Sequence, residues 1–368
     1  MHLEIFLSLS IAFTIVYFII PRIIKVSLAK KLFDVPNNRS AAKKVVPTLG
    51  GIAVLAGFFI SLIVASDSYN VNELKYMLVA IFVMFIVGLK DDIIGLSAKK
   101  KFVVQLAVAL YLVLLGNYRI TDLHGIFGIN EIGIATGNLL SLLLIVGVIN
   151  ALNLIDGIDG LASGICMLIS VVYGVWFLYA GDIIYALVCF SLAGSLLAFF
   201  LYNVFGTTNK IFMGDTGSLI LGTIVALLTI RFNEFNPVSG LAVHGAPAIA
   251  FAIISVPVID TIRVFAIRLS QKKSPFAPDM NHIHHHLLRL TNSHLVSSLI
   301  LIAANGLLIL LAFVLFESLG NNLLFVLLLI LGFTLAGIPS FLVKYQGKGI
   351  EKAERPKSIF AFFLFHKK

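Results

Sequence analysis

Residues Asn150–Gly160 read Asn-Ala-Leu-Asn-Leu-Ile-Asp-Gly-Ile-Asp-Gly. Two amides, Asn150 and Asn153, and two carboxylates, Asp156 and Asp159, each recur three residues apart. On a helical turn such pairs share a face. Gly157 and Gly160 leave room beside the carboxylates for a ligand or another backbone. The cluster follows directly on the apolar run Leu139–Ile149. A carboxylate at the edge of lipid is costly, about 2.5–3.5 kcal/mol at a helix centre, so a metal ion or a cationic partner is expected to offset it. The plainer account is a helix-end loop of turn-forming Asp and Gly.

Four further stretches carry polar groups that could act together. Gly88–Gly95 holds the adjacent pair Asp91-Asp92. Such carboxylates repel and tolerate each other best beside a cation or when one is protonated, although a solvated helix end also carries Asp pairs. Lys99–Lys101, just downstream, is expected to hold the loop at lipid headgroups. Asn209–Ser218 contains Phe-Met-Gly-Asp-Thr-Gly-Ser, with Asp215 between glycines. Asp215 either caps the following helix or ligates a metal where a helix N-terminus favours a bound phosphate. Four of the nine histidines fall within residues 282–286. Without a nearby Cys and with carboxylates available, the set suits a hard ion, phosphate or proton transfer better than zinc. Upstream, Asp260 and Arg263 are three residues apart and can pair with each other, and Arg268 follows. Finally, Arg39, Lys43 and Lys44 precede Val46-Pro47-Thr48-Leu49-Gly50-Gly51, a sharp helix entry. Those bases either hold a phosphate or obey the positive-inside rule.

The elements that must position these groups are membrane helices. The chain has 368 residues, of which 59% are hydrophobic and 12% charged, against about 25% charged in soluble domains. The mean hydropathy is +1.03. Windows of span length fall at about 3–21, 48–66, 74–90, 102–116, 138–152, 162–180, 183–202, 216–231, 247–268, 296–316 and 322–343. The expected fold is thus an all-α polytopic integral membrane protein with about eleven transmembrane helices. Ile5–Ile20 lacks the basic leader and cleavage site of a signal peptide and is expected to be retained. If the segments at 22–47, 90–101, 151–161, 203–215, the end of the ninth helix (with Arg263 and Arg268) through 295, and the tail from 344 lie on one side, the other keeps only Lys75, Arg119 and Arg231 of the 27 Lys and Arg. That bias puts the N-terminus outside and the C-terminus in the cytoplasm. It also accounts for the net charge of +9 without nucleic acid. No repeat or soluble domain interrupts residues 1–343, read as one transmembrane domain. Residues 344–368 form a basic, aromatic tail suited to a membrane surface. Cys166 and Cys189 sit in apolar runs and read as small hydrophobes.

In this order, Pro-Thr-Leu-Gly-Gly, Asp-Asp, Asn-x-x-Asn-x-x-Asp-Gly-x-Asp-Gly, Phe-Met-Gly-Asp-Thr-Gly-Ser and His-Ile-His-His resemble the polyprenyl-phosphate N-acetylhexosamine-1-phosphate transferases, the MraY- and WecA-like enzymes. The resemblance spans about residues 20–290. It implies a phosphoglycosyl transferase of the bacterial inner membrane, working on its cytoplasmic face. A sugar-1-phosphate would pass from a UDP-sugar to undecaprenyl phosphate with release of UMP, feeding cell-envelope polysaccharide synthesis. It further implies Mg2+, with Mn2+ as a substitute, and admits a homodimer.

By similarity, Asp215 is the principal metal ligand and Asp92 lies beside the metal or pyrophosphate. Asp91 handles the lipid phosphate. Asn150, Asn153, Asp156 and Asp159 bind and orient the nucleotide diphosphate, and Lys44 and Arg263 assist. His284 and His285, with His282, close over the phosphates or sugar. A phosphate monoester is already largely dianionic at neutral pH, so direct attack by the lipid phosphate is expected, with Asp91 at most completing its deprotonation. The muramyl-pentapeptide branch carries Lys two residues before the motif's Pro, where this chain has Val45. Ser274–Asp279 looks closer to the UDP-N-acetylglucosamine branch.

Other classes fit less well. A secondary transporter predicts polar groups at the bilayer midplane and inverted repeats, whereas the motifs here gather on one side. A CDP-alcohol phosphotransferase needs more aspartates along one helix pair. A structural membrane protein has no use for four acidic or histidine motifs facing one compartment.

Overall fold

The structure is a computed structural model in which residues 2–34, 46–67, 69–235, 246–274 and 279–353 are described. It is an all-α multi-pass membrane protein. Its helices are α1 (His2–Ala29), α2 (Gly50–Ala65), α3 (Lys75–Ile94), α4 (Ala98–Leu114), α5 (Ile134–Ile155), α6 (Leu161–Ala180), α7 (Ile183–Phe205), α8 (Gly214–Glu234), α9 (Ala246–Ile253), α10 (Ser255–Ser270), α11 (Ile283–Thr291) and α12 (His294–Ala353). Two short antiparallel pairs accompany them, β1 (Phe33–Asp34) with β2 (Val46–Pro47), and β3 (Asp122–Ile126) with β4 (Ile129–Glu131).

Each of the eleven windows read from the sequence falls on a helix. By length and composition, six described helices can cross a membrane (α1, α5, α6, α7, α8 and α12), or seven if α9 and α10 form one broken span. The others fall short for physical reasons. The α2 helix has 16 residues. The α3 helix carries Lys75, Lys90, Asp91 and Asp92, and α4 carries Lys99–Lys101.

The bundle is built around α8, which is buried along almost its whole length. The α2, α3, α5 and α6 helices pack on it, α1 closes over α2 and α7, and α9, α10 and α11 lean on α12. Cys166 and Cys189 are free and buried in this core.

One window read as a straight span is shaped differently. The stretch 247–268 bends by 76° between α9 and α10. Pro257 near the start of α10 has no N–H to continue the ladder. Buried Asn305 of α12 satisfies the break: Nδ2 donates to Ile253 O at 3.0 Å, and Oδ1 accepts from Val256 N at 3.1 Å. Backbone groups at membrane depth need such internal partners. In α12 the helix breaks at Gly320, whose φ is +65°, between the last two windows. On this end of the bundle, the β3–β4 hairpin, which hydropathy did not foresee, is tied down by Asn321 Nδ2 donating to His124 O (2.8 Å) and by Phe127 N donating to Asn322 Oδ1 (2.6 Å).

Candidate active site

The site grows from the N-terminus of α8. Phe212 N donates to Pro47 O (2.8 Å), while Gly50 N and Gly51 N donate to Phe212 O and Met213 O (both 2.9 Å). The Pro-Thr-Leu-Gly-Gly stretch is therefore a backbone clamp on the Phe-Met-Gly-Asp stretch. Gly214 closes the turn with φ +70°; a Cβ there would stand 2.2 Å from Thr48 O and 2.5 Å from Asp92 Oδ2. Asp92 caps α8 from outside the helix. Its Oδ1 accepts from Asp215 N (2.8 Å), and its Oδ2 accepts from Thr216 N (2.9 Å) and Thr216 Oγ1 (2.5 Å). Its carboxylate is thus occupied by three donors, a favourable arrangement at the positive end of a helix.

Asp91, one position earlier, points to a different neighbour. Its Oδ2 lies 2.7 Å from Lys101 Nζ, and the same ammonium lies 2.7 Å from Asp215 Oδ2. Asp91 Oδ1 also accepts from Leu96 N. Asp215 Oδ1 accepts from Asn153 Nδ2 at 2.6 Å, and that amide also donates to Ser218 Oγ at 2.8 Å. Three motifs far apart in sequence thereby meet around one cation. Lys99 and Lys100 are exposed, but Lys101 turns inward, so its expected place at lipid headgroups is corrected. The missed signal was Gln105, one turn further along the same face. It is buried and accepts from Asn150 Nδ2 at 2.7 Å. Asn150 also donates to Val146 O.

The expectation of one helical face holds for the amides but not for the carboxylates, because α5 ends at Ile155. Asp156 is its C-cap, and Asp159 lies in the turn before α6, where Gly160 has φ +78°. Asp156 has its carboxyl pushed up to about 8 by burial and by the nearby Asp215, Asp92 and Asp159 carboxylates. Burial works against the charge on Asp159 too, but His294 and Lys210 hold its carboxyl below the usual range. Lys210 Nζ lies 2.5 Å from Asp159 Oδ2, and His294 Nδ1 lies 3.1 Å from the same oxygen. Ser298 Oγ donates to Asp159 O (2.7 Å), and Gly160 N donates to Asn203 Oδ1 (2.6 Å). The turn is pinned from four sides.

The histidines sit at the start of α11, beside the end of α10. His282 Nδ1 is 2.9 Å from Asp260 Oδ2. Asp260 Oδ1 accepts from Ile283 N (3.0 Å) and Arg263 Nη2 (2.9 Å). Arg263 also donates to Asn281 O and to Ser340 Oγ. Arg268 Nε donates to Asp279 Oδ2 at 2.8 Å. His282 and Arg263 are therefore knitted into the α10–α11–α12 junction. His284 is 1% exposed, and neither of its ring nitrogens has a hydrogen-bond partner. Burial and the neighbouring histidines hold His284 well below its usual pKa and His285 down at about 4, so both are neutral. Their ring centroids are 4.2 Å apart. The unpartnered His284 ring lies against the Asp156-Gly157 turn, which joins the histidine and carboxylate motifs. Lys44, with Arg39 and Lys43, lies outside the described residues, as does most of the Ser274–Asp279 segment.

The sequence profile of glycosyl transferase family 4 matches residues 74–233, which include Asp91, Asp92, Asp156, Asp159 and Asp215 but not the histidine cluster. Undecaprenyl-phosphate alpha-N-acetylglucosaminyl 1-phosphate transferases are similar over most of their length. That of Escherichia coli O157:H7 is 33% identical over 269 residues, 71% of either chain. That of Salmonella typhi is 31% identical over 280 residues, 75% of this chain and 74% of its own. The Yersinia pestis protein of that name is 29% identical over 270 residues, 72% of each. The present chain belongs to this glycosyl transferase family 4, the family of the bacterial undecaprenyl-phosphate N-acetylglucosaminyl 1-phosphate transferases.

Proposed function

We propose that the protein transfers N-acetylglucosamine 1-phosphate from its UDP-sugar to undecaprenyl phosphate, releasing UMP. The single observation that carries this reading is the convergence of Asp91 and Asp215 on one cation position, each 2.7 Å from Lys101 Nζ. The relatives' names supply the acceptor and the sugar. The eleven apolar windows support eleven crossings, and the Lys/Arg distribution supports a site on the cytoplasmic face of the inner membrane. There a soluble nucleotide sugar meets a lipid phosphate.

The donor set fits Mg2+. Among the described residues, no three His, Cys, Asp or Glu side chains form a ready cage. Mg2+ needs none, since it is usually held by one or two carboxylates with substrate phosphates and water. Asp215 and Asp91 would hold it, with Mn2+ as a substitute. When bound there, it would neutralise charge on the transferring phosphoryl group. Asp92 fixes the backbone of Asp215, and Asn153 fixes its side chain. Asp91 reaches the attacking lipid phosphate and takes what proton remains on it. Asp156 and neutral His284, whose nitrogens are free to donate and accept, orient the diphosphate and sugar.

Incubating purified protein with undecaprenyl phosphate, Mg2+ and a panel of UDP-sugars tests the reading. UMP should be released with UDP-N-acetylglucosamine and not with the muramyl-pentapeptide donor. No UMP with any donor from folded protein overturns the reading.

A further inference from the structure

Lys101 is placed oddly for a lysine that merely supports its helix. It lies in the first turn of α4 with Lys99 and Lys100, where a helix N-terminus disfavours positive charge. Its two neighbours stay exposed, whereas the Lys101 ammonium reaches Asp91 and Asp215 at 2.7 Å each. Those two carboxylates come from α3 and α8, and among the described residues Lys101 is the one cation paired with either of them. An ammonium is a compact point charge on a flexible stem, so it can hold this position and also leave it.

We propose that Lys101 is a built-in stand-in for the divalent cation. Its ammonium neutralises Asp91 and Asp215 in the metal-free protein and must be displaced for metal to enter. This rests on the reading that Asp91 and Asp215 hold the metal. The lysine keeps two facing carboxylates from repelling while the site is open, and it lowers the affinity of the free protein for metal. The departing ammonium is best accommodated when anionic phosphates arrive, which ties metal occupancy to substrate.

The test is Mn2+ binding to the full-length protein without substrate, read by electron paramagnetic resonance, for wild type, Lys101→Met, Lys100→Met and Asp215→Asn. Lys101→Met should bind Mn2+ about tenfold tighter or more, about 1.4 kcal/mol. Lys100→Met, which removes an equal charge that bridges nothing, should stay within about twofold because exposed charges are screened. In EDTA, Lys101→Met should melt below wild type, and saturating Mn2+ should close that gap. Lys101→Arg, which keeps the charge, should not reproduce the gain in affinity. Unchanged or weaker Mn2+ binding by Lys101→Met overturns the stand-in role, as does an equal gain in Lys100→Met. If Asp215→Asn binds Mn2+ as wild type does, the metal-site reading itself falls, and the proposal falls with it.

Discussion

A Cβ built on Gly157 would stand 2.3 Å from His284 Nε2 and about 3 Å from the two ring carbons beside it. The turn carrying Asp156 and the buried imidazole are therefore in contact only because residue 157 has no side chain. His284 is buried, so it has little open space to swing into. Gly157→Ala should cost about 1–3 kcal/mol of stability through overpacking. It should lower kcat by tenfold or more, since small misplacements of catalytic groups are expensive. The double variant Gly157→Ala/His284→Ala should recover the melting temperature but not the activity. Recovery of both would assign His284 a packing role alone.

Adjacent aspartates divide their work. Successive helical residues point about 100° apart, as 3.6 residues per turn requires, so Asp91 faces Lys101 while Asp92 faces the start of α8. Asp92→Ala leaves two backbone N–H groups and a hydroxyl without their acceptor. It should lower stability by about 1–2 kcal/mol, the usual size of a lost cap, and loosen Mn2+ binding by unfixing Asp215. Thr216→Val, which removes one of the three bonds, should do less of both. Asp91→Asn should leave the melting temperature near wild type and slow transfer more than it weakens UDP-sugar binding. Thermal melts with titrations of Mn2+ and UDP-sugar separate the three.

What the sequence made legible was composition over short stretches. Apolar windows located the helices, and carboxylates spaced among glycines located the α5–α6 turn. What it hid depends on how distant helices meet. Lys99, Lys100 and Lys101 are chemically identical in a string. Only the rotation of α4 against α8 makes one of them a partner of Asp91 and Asp215. Pro-Thr-Leu-Gly-Gly read as a helix entry, yet its carbonyls and N–H groups serve Phe212 and Met213, a pairing over more than 160 positions. The α9–α10 bend was invisible to hydropathy because both halves are apolar; Asn305, which makes it tolerable, lies about 50 residues away.

Asp156 should make stability depend on pH in an unusual direction. Its carboxyl titrates near 8 in the folded protein against 3.8 ordinarily. Between those values the folded state binds the extra proton, so stability falls as pH rises from about 4 to about 8 and then levels. Asp156→Asn removes this penalty. In EDTA and without substrate, its melting temperature should match wild type near pH 4 and exceed it increasingly towards pH 8. A gap that is constant with pH, or one that shrinks, contradicts the upward shift.

Lys210 and His294 form the clamp on Asp159, whose side chain is only 11% exposed. Lys210→Met leaves that carboxylate without its ammonium and should cost about 1–3 kcal/mol, the penalty for stranding a charged hydrogen-bonding group. Adding Asp159→Asn removes the stranded charge as well, so the double variant should be more stable than Lys210→Met alone. If Asp159 serves mainly to hold the turn, the double variant should also keep kcat within a few-fold of wild type while the KM for the UDP-sugar rises modestly. If its carboxylate instead touches the nucleotide, stability will recover in the double variant but UDP-sugar binding will not. Melting curves and steady-state kinetics on Lys210→Met, Asp159→Asn and their combination decide between a strut and a substrate ligand at the same residue.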